Sequence, residues 1–169
     1  MDVLTHALWP YAVTVKHKRW RKWAALWGMF PDVGVLPQLY FLLSNYGTKP
    51  FRGVNDWTSV LIPASWMQPY YTTHSFVTLA AVAGLYWLWK KRWAWPLIIG
   101  WSSHILLDMF THGGVYANRP LYPLSNFSIE GVSWADPRIF IPNVIALVLV
   151  YGYFGWRRWQ RNRVVQPHG

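Results

Sequence analysis

His104, Asp108 and His112 follow one another at intervals of four in the stretch SHILLDMFTHGG. On a helix that spacing stacks two imidazoles and a carboxylate along one face. Such a stripe can hold a cation or relay a proton. His6, Asp32 and His74 interrupt other apolar stretches in the same way. Imidazole with carboxylate suits zinc, and also manganese, iron or nickel. A catalytic ion of this kind keeps a position for water and lowers its pKa until hydroxide exists near neutral pH. The chain has no cysteine, so disulfides and thiolate metal sites are excluded.

The elements that must position these residues are apolar. A chain of 169 residues is read as one domain, 1–169, with no internal repeat, low-complexity tract or linker. Its 53% hydrophobic and 19% aromatic content exceeds that of an ordinary soluble domain. Four apolar stretches, at about residues 23–43, 74–89, 94–110 and 139–156, approach the roughly 20 residues of a membrane-spanning helix. A fifth, 3–15, is short for a full span. It does not read as a secretory signal, because the charges of KHKRWRK follow it instead of preceding it. The expected fold is all-α: a multi-pass transmembrane helical bundle of four to five membrane segments, with outer loops at 44–73 and 111–137.

The net charge of +10 raises nucleic acid as a partner, but its distribution argues against that class, and none is expected. Twelve of the sixteen Lys and Arg fall in three runs, at 16–22, 90–92 and 157–163, each at the end of an apolar stretch and beside Trp. Basic residues on the cytoplasmic side and indoles at headgroup level make a membrane interface. Most of the fourteen Trp serve the same anchoring role, and membrane lipids are the expected partners. With the basic runs cytoplasmic, the N-terminus lies outside, and His6, His74, His104, Asp108 and His112 all fall in the outer half of the bilayer. Asp32 lies near the middle of its segment, directly after Pro31, where a helix bends or breaks. Ionisable residues at such depth are costly and mark functional sites by default.

Five pieces carry a family resemblance: MDVLTHAL at the start, GMFPDVG at 28–34, TTHSF at 72–76, SHILLDMFTHGG, and YPLS at 122–125. In this order, over most of the chain, they resemble the YdjM-type inner-membrane metal-dependent hydrolases, which are grouped with the zinc-dependent phospholipase C and single-strand nuclease superfamily. The resemblance implies that Asp32, His74, His104 and Asp108 bind one metal. It also implies that Asp108 bridges to a second, held by His6 with Asp2 or the N-terminal region. Many relatives have Pro-Asp-x-Asp where this chain has Pro31, Asp32, Val33 and Gly34. Many also have His-Arg-Gly where it has Pro69, Tyr70 and Tyr71.

Each residue also has a plainer reading. His104 and Asp108 could be a structural hydrogen-bonded pair, Asp32 a proton-relay carboxylate or helix cap, His74 a helix-start residue and His6 part of a fraying terminus. His112, beside Gly113 and Gly114, is read as lying outside the ligand set but behind the ligands, with a third-site ligand, a proton shuttle or a plain loop residue as the other readings. His17 and His168 are read as solvated, Asp56, Glu130 and Asp136 as outer-loop residues, and Asn143 as a hydrogen-bonding group across the bundle. The function expected is a multi-pass inner-membrane hydrolase with one or two zinc ions on His6, Asp32, His74, His104 and Asp108. Asp32 doubles as the proton acceptor, and the substrate is an ester or phosphoester of a lipid-like molecule. The alternatives are a non-catalytic metal-binding transporter or sensor, and a bis-His haem carrier.

Overall fold

The computed structural model describes residues 1–47 and 62–164, so Asp56 and His168 lie outside the described residues. The described residues are helical, with no strand and one isolated bridge, between Asn118 and Ile129. In chain order the helices are α1 (Val3–Val13), α2 (Arg21–Met29), a 3-10 segment (Phe30–Val35), α3 (Leu36–Tyr46), α4 (Ala64–Thr73), α5 (Phe76–Lys90), α6 (Trp95–Thr111) and α7 (Pro137–Val164).

Local chemistry sets the boundaries. Asp2 caps α1, its carboxylate accepting from the Thr5 N–H at 3.0 Å and the Thr5 hydroxyl at 2.6 Å. Asp2 is so engaged and belongs to neither of the two groups of donor atoms that could hold a metal ion. Pro31 stands in the first turn of the 3-10 segment, and the break it was expected to cause separates α2 from α3. Ser75 caps α5 by accepting from Val77 N–H at 3.0 Å. Asp136 accepts from the Arg138 N–H at 2.8 Å and pairs with its guanidinium at 2.7 Å. Those contacts hold its carboxyl down to about 2.

Arg21–Asn45, taken through the 3-10 segment, and Pro137–Arg163 are long and apolar enough to cross a membrane. α5 has 15 residues and α6 has 17, and both are apolar but shorter. The loop expected over 44–73 is corrected at its end, where α4 forms with Pro63 before its first residue and Pro69 inside it. Its Thr73 hydroxyl donates to Pro31 O at 2.8 Å, which seats α4 on the 3-10 segment.

Glycines set the register of the core. A Cβ on Gly28 would lie 2.1 Å from His6 O, and one on Gly100 would lie 2.3 Å from Ala24 O. α1, α2 and α6 therefore touch backbone to backbone, as small residues permit in membrane bundles. Ala24 pairs with Gly100 and Gly28 with His104, so α2 and α6 run parallel. α7 runs with α1: Asn143 bonds Trp9 at 2.9 Å and Thr5 at 3.2 Å, and Tyr151 donates to Leu8 O at 2.8 Å. Asn143 thus bonds across the bundle as expected. This register gathers all three basic runs at one end, and His6, His74, His104 and His112 lie toward the other.

Candidate metal centre

Asp108 is fully buried on α6, and four imidazoles surround its carboxylate. Oδ1 lies 3.0 Å from His6 Nε2 and 3.1 Å from His112 Nδ1. Oδ2 lies 3.2 Å from His74 Nε2 and 3.1 Å from His104 Nε2. The Met1 amino group is 2.5 Å from Oδ1. One carboxylate therefore faces residues from α1, the α4–α5 junction and α6, with a different pair of imidazoles on each oxygen.

Backbone carbonyls fix two of the rings. His104 Nδ1 is 2.6 Å from Gly28 O, and His74 Nδ1 is 2.9 Å from Tyr70 O. A carbonyl only accepts, so each Nδ1 carries a proton, and in the neutral form each ring presents a bare Nε2. Those two Nε2 atoms lie 3.0 Å apart, and both face Asp108 Oδ2. Three acceptors thus converge within hydrogen-bonding distance of one another. A proton satisfies one such pair, whereas a divalent cation satisfies all three at once.

His6 adds to the imbalance. Its ring stacks on His104 with centroids 3.6 Å apart, it is wholly buried, and neither nitrogen has a hydrogen-bond partner among the described residues. Its Nε2 approaches Asp108 Oδ1 without the alignment of a hydrogen bond. Asp108 Oδ2 and Asp32 Oδ2 are likewise unpartnered. Buried polar atoms are normally satisfied, so orphans gathered in one cluster mark a place for a ligand.

Asp32, on the 3-10 segment, lies with Oδ1 3.8 Å from His104 Nε2. Donor atoms of His6, Asp32 and His104, and separately of His74, His104 and Asp108, lie within 4.8 Å of one another. The five residues expected as ligands are therefore brought together, in two overlapping groups that share His104. Buried imidazoles and carboxylates in this arrangement could hold a metal ion.

The cluster is enclosed except at two of its residues. His6, His74, His104 and Asp108 are buried, whereas the side chains of Asp32 and His112 are 23% and 18% exposed. Among the residues read as lying outside the ligand set, His112 proves to touch Asp108; its four-residue spacing carried that signal. His17 stacks on Trp20 in the α1–α2 loop, and Glu130 accepts from Gly114 N–H at 2.9 Å in the loop after α6. Two contributors went unread. Tyr70 stacks on His74 at 3.9 Å and supplies its carbonyl partner, and Gly28 supplies that of His104. Carbonyl partners leave no trace in side-chain identity, although Gly28 did signal close backbone approach.

No curated protein and no solved structure matches the chain. The family described as YdjM inner membrane protein matches it over residues 1–166, and the chain belongs to that family.

Proposed function

We propose that this protein is a multi-pass inner-membrane hydrolase that cleaves an ester or phosphoester bond of a lipid-like substrate. Its metal centre is built from His6, Asp32, His74, His104 and Asp108. The observation that carries the reading is the convergence of two imidazole Nε2 atoms and one carboxylate oxygen, each within 3.2 Å of the others, on a single buried point. A donor set of nitrogen and oxygen fits zinc first. When bound, such an ion supplies a Lewis acid and an acidified water.

The chain's own residues supply the rest. Gly28 O and Tyr70 O hold two imidazoles in the ligating tautomer. Asp32, partly exposed, keeps Oδ2 without a partner, so that atom accepts the proton from the attacking water. Phe30, Val33 and Leu36, near Asp32 in the chain, are exposed at 37%, 52% and 56%. A partly exposed carboxylate at the edge of a buried polar cluster, on a segment that also exposes apolar side chains, suits a substrate with a polar head and acyl chains. α5 and α6 join the two longer spans as membrane segments, and the basic end lies in the cytoplasm, which sets the cluster in the outer half of the bilayer. A transporter would need a polar path onward. Instead Leu97 and Trp101, two turns and one turn before His104, are buried with Leu79 and Ala83 in an apolar plug.

The test is hydrolysis by reconstituted, zinc-loaded protein presented with phospholipid and lipid-linked phosphate. The expected result is chelator-sensitive release of a water-soluble phosphate product. In Asp32→Asn, with metal content measured alongside, the rate is expected to fall about 100- to 10,000-fold. Absence of release from every ester and phosphoester offered, with the metal bound, contradicts the hydrolase reading.

A further inference from the structure

The end of the bundle away from the histidines carries a second constellation. The α1–α2 loop folds Lys16, His17, Lys18, Arg19 and Trp20 around a shallow recess of about 370 Å³. Two tight turns build it, with His17 N–H donating to Thr14 O and Trp20 N–H to His17 O, each at 2.8 Å. Buried Thr14 anchors the loop to α1 through its hydroxyl, 2.6 Å from Pro10 O. The His17 ring lies nearly parallel to the Trp20 indole, with centroids 4.4 Å apart, and gives the recess a flat side.

Charge makes the recess selective. Lys16, Lys18 and Arg19 are exposed, and among the described residues none is in an ion pair or over an aromatic ring. Within the same run Arg21 lies 5.0 Å from the Tyr11 centroid, and the other two basic runs also spend part of their charge on rings. Lys90 lies 3.5 Å from the Trp89 centroid and Lys91 5.2 Å from that of Trp87, while Arg163 lies 3.7 Å from that of Trp159. The described acids are Asp2, Asp32, Asp108, Glu130 and Asp136, and none lies in this loop. Three unneutralised cations on a fixed loop, beside an indole, form a receptor for an anion with an apolar neighbour.

We infer that residues 16–20 bind a phosphate group, separately from the metal cluster and whatever that cluster's chemistry. The phosphate comes either from an anionic phospholipid headgroup or from free phosphate, and the experiment distinguishes them. Full-length protein in zwitterionic micelles is titrated with short-chain phosphatidylglycerol, short-chain phosphatidylcholine and inorganic phosphate. The titrations are repeated on Lys16→Ala/Lys18→Ala/Arg19→Ala, on the milder Lys16→Gln/Lys18→Gln, and on Lys90→Ala/Lys91→Ala/Arg92→Ala.

Phosphatidylglycerol is expected to bind in preference to phosphatidylcholine. The 16–19 triple variant is expected to weaken that binding by about tenfold or more, and the 90–92 triple variant to leave it unchanged. Preference for phosphatidylglycerol over inorganic phosphate identifies the headgroup, and equal binding of the two identifies phosphate alone. Equal loss in both triple variants, or phosphatidylcholine binding as tightly as phosphatidylglycerol, overturns the inference. The double Gln variant must shift in the same direction as the triple.

Discussion

Zinc is expected to raise the unfolding free energy of the wild-type protein and to leave Asp108→Ala unchanged. A ligand at a thousand times its dissociation constant stabilises by about 4 kcal/mol when it binds only the folded state. Asp108 is the group on which this depends, since it stands within 3.2 Å of His6, His74, His104 and His112. Alanine removes both oxygens and leaves the buried Met1 amino group, 2.5 Å from Oδ1, without its counter-charge. Breaking a buried charged constellation on one side costs about 3–5 kcal/mol, so the variant should also unfold more readily without zinc. Asp108→Asn separates the two effects. It keeps the shape and one acceptor, so it should recover much of the metal-free stability while still losing most of the zinc response. Thermal unfolding in detergent, with and without zinc, reads all three proteins. A zinc response in Asp108→Ala equal to that of the wild type would remove Asp108 from the site.

The second large effect is expected far from any ligating atom. Gly28→Ala places a methyl group 2.1 Å from His6 O and 2.7 Å from Pro10 Cγ. The first of these is backbone and cannot rotate away, so α1 and α2 must separate. Overpacking of a tight core typically costs about 1–3 kcal/mol, and a clash with backbone belongs at or beyond the upper end. The same displacement carries Gly28 O away from His104 Nδ1, 2.6 Å distant in the wild type. Loss of such an orienting partner should weaken metal affinity by about 10- to 100-fold. Gly100→Ala, with its Cβ 2.3 Å from Ala24 O, should behave alike. At Gly84 and Gly152 an added Cβ meets nothing within 4 Å, and alanine there should be harmless. Melting temperature and zinc titration on the four variants check the pattern; equal behaviour at all four glycines would contradict it.

Much of the site was legible because its chemistry is local. His104 and Asp108 lie four apart on one helix face, and the contact between them follows from helical geometry alone. Asp32 after Pro31 was legible as a break because proline cannot continue a helix. The pairing of His6 with His104 was not, since ring stacking between α1 and α6 depends on Gly28 and Gly100 letting three backbones meet. Nor was the helical state of 64–73, where Pro63 and Pro69 gave turn signals and only packing on the 3-10 segment favours a helix. His112 was read as standing behind the ligands, and α6, helical to Thr111, brings its imidazole within 3.1 Å of Asp108. The basic runs were legible as one end of the bundle, and the register of α1, α2, α6 and α7 agrees.

The most direct measurement is the metal content of the detergent-purified protein, by elemental analysis before and after incubation with zinc, alongside Asp108→Ala and His104→Ala at matched folding. The account predicts near-stoichiometric zinc or another divalent transition metal in the wild type and none in either variant, with a count near two if Asp108 bridges. A wild-type protein that is metal-free as isolated, and still metal-free after zinc, would contradict it.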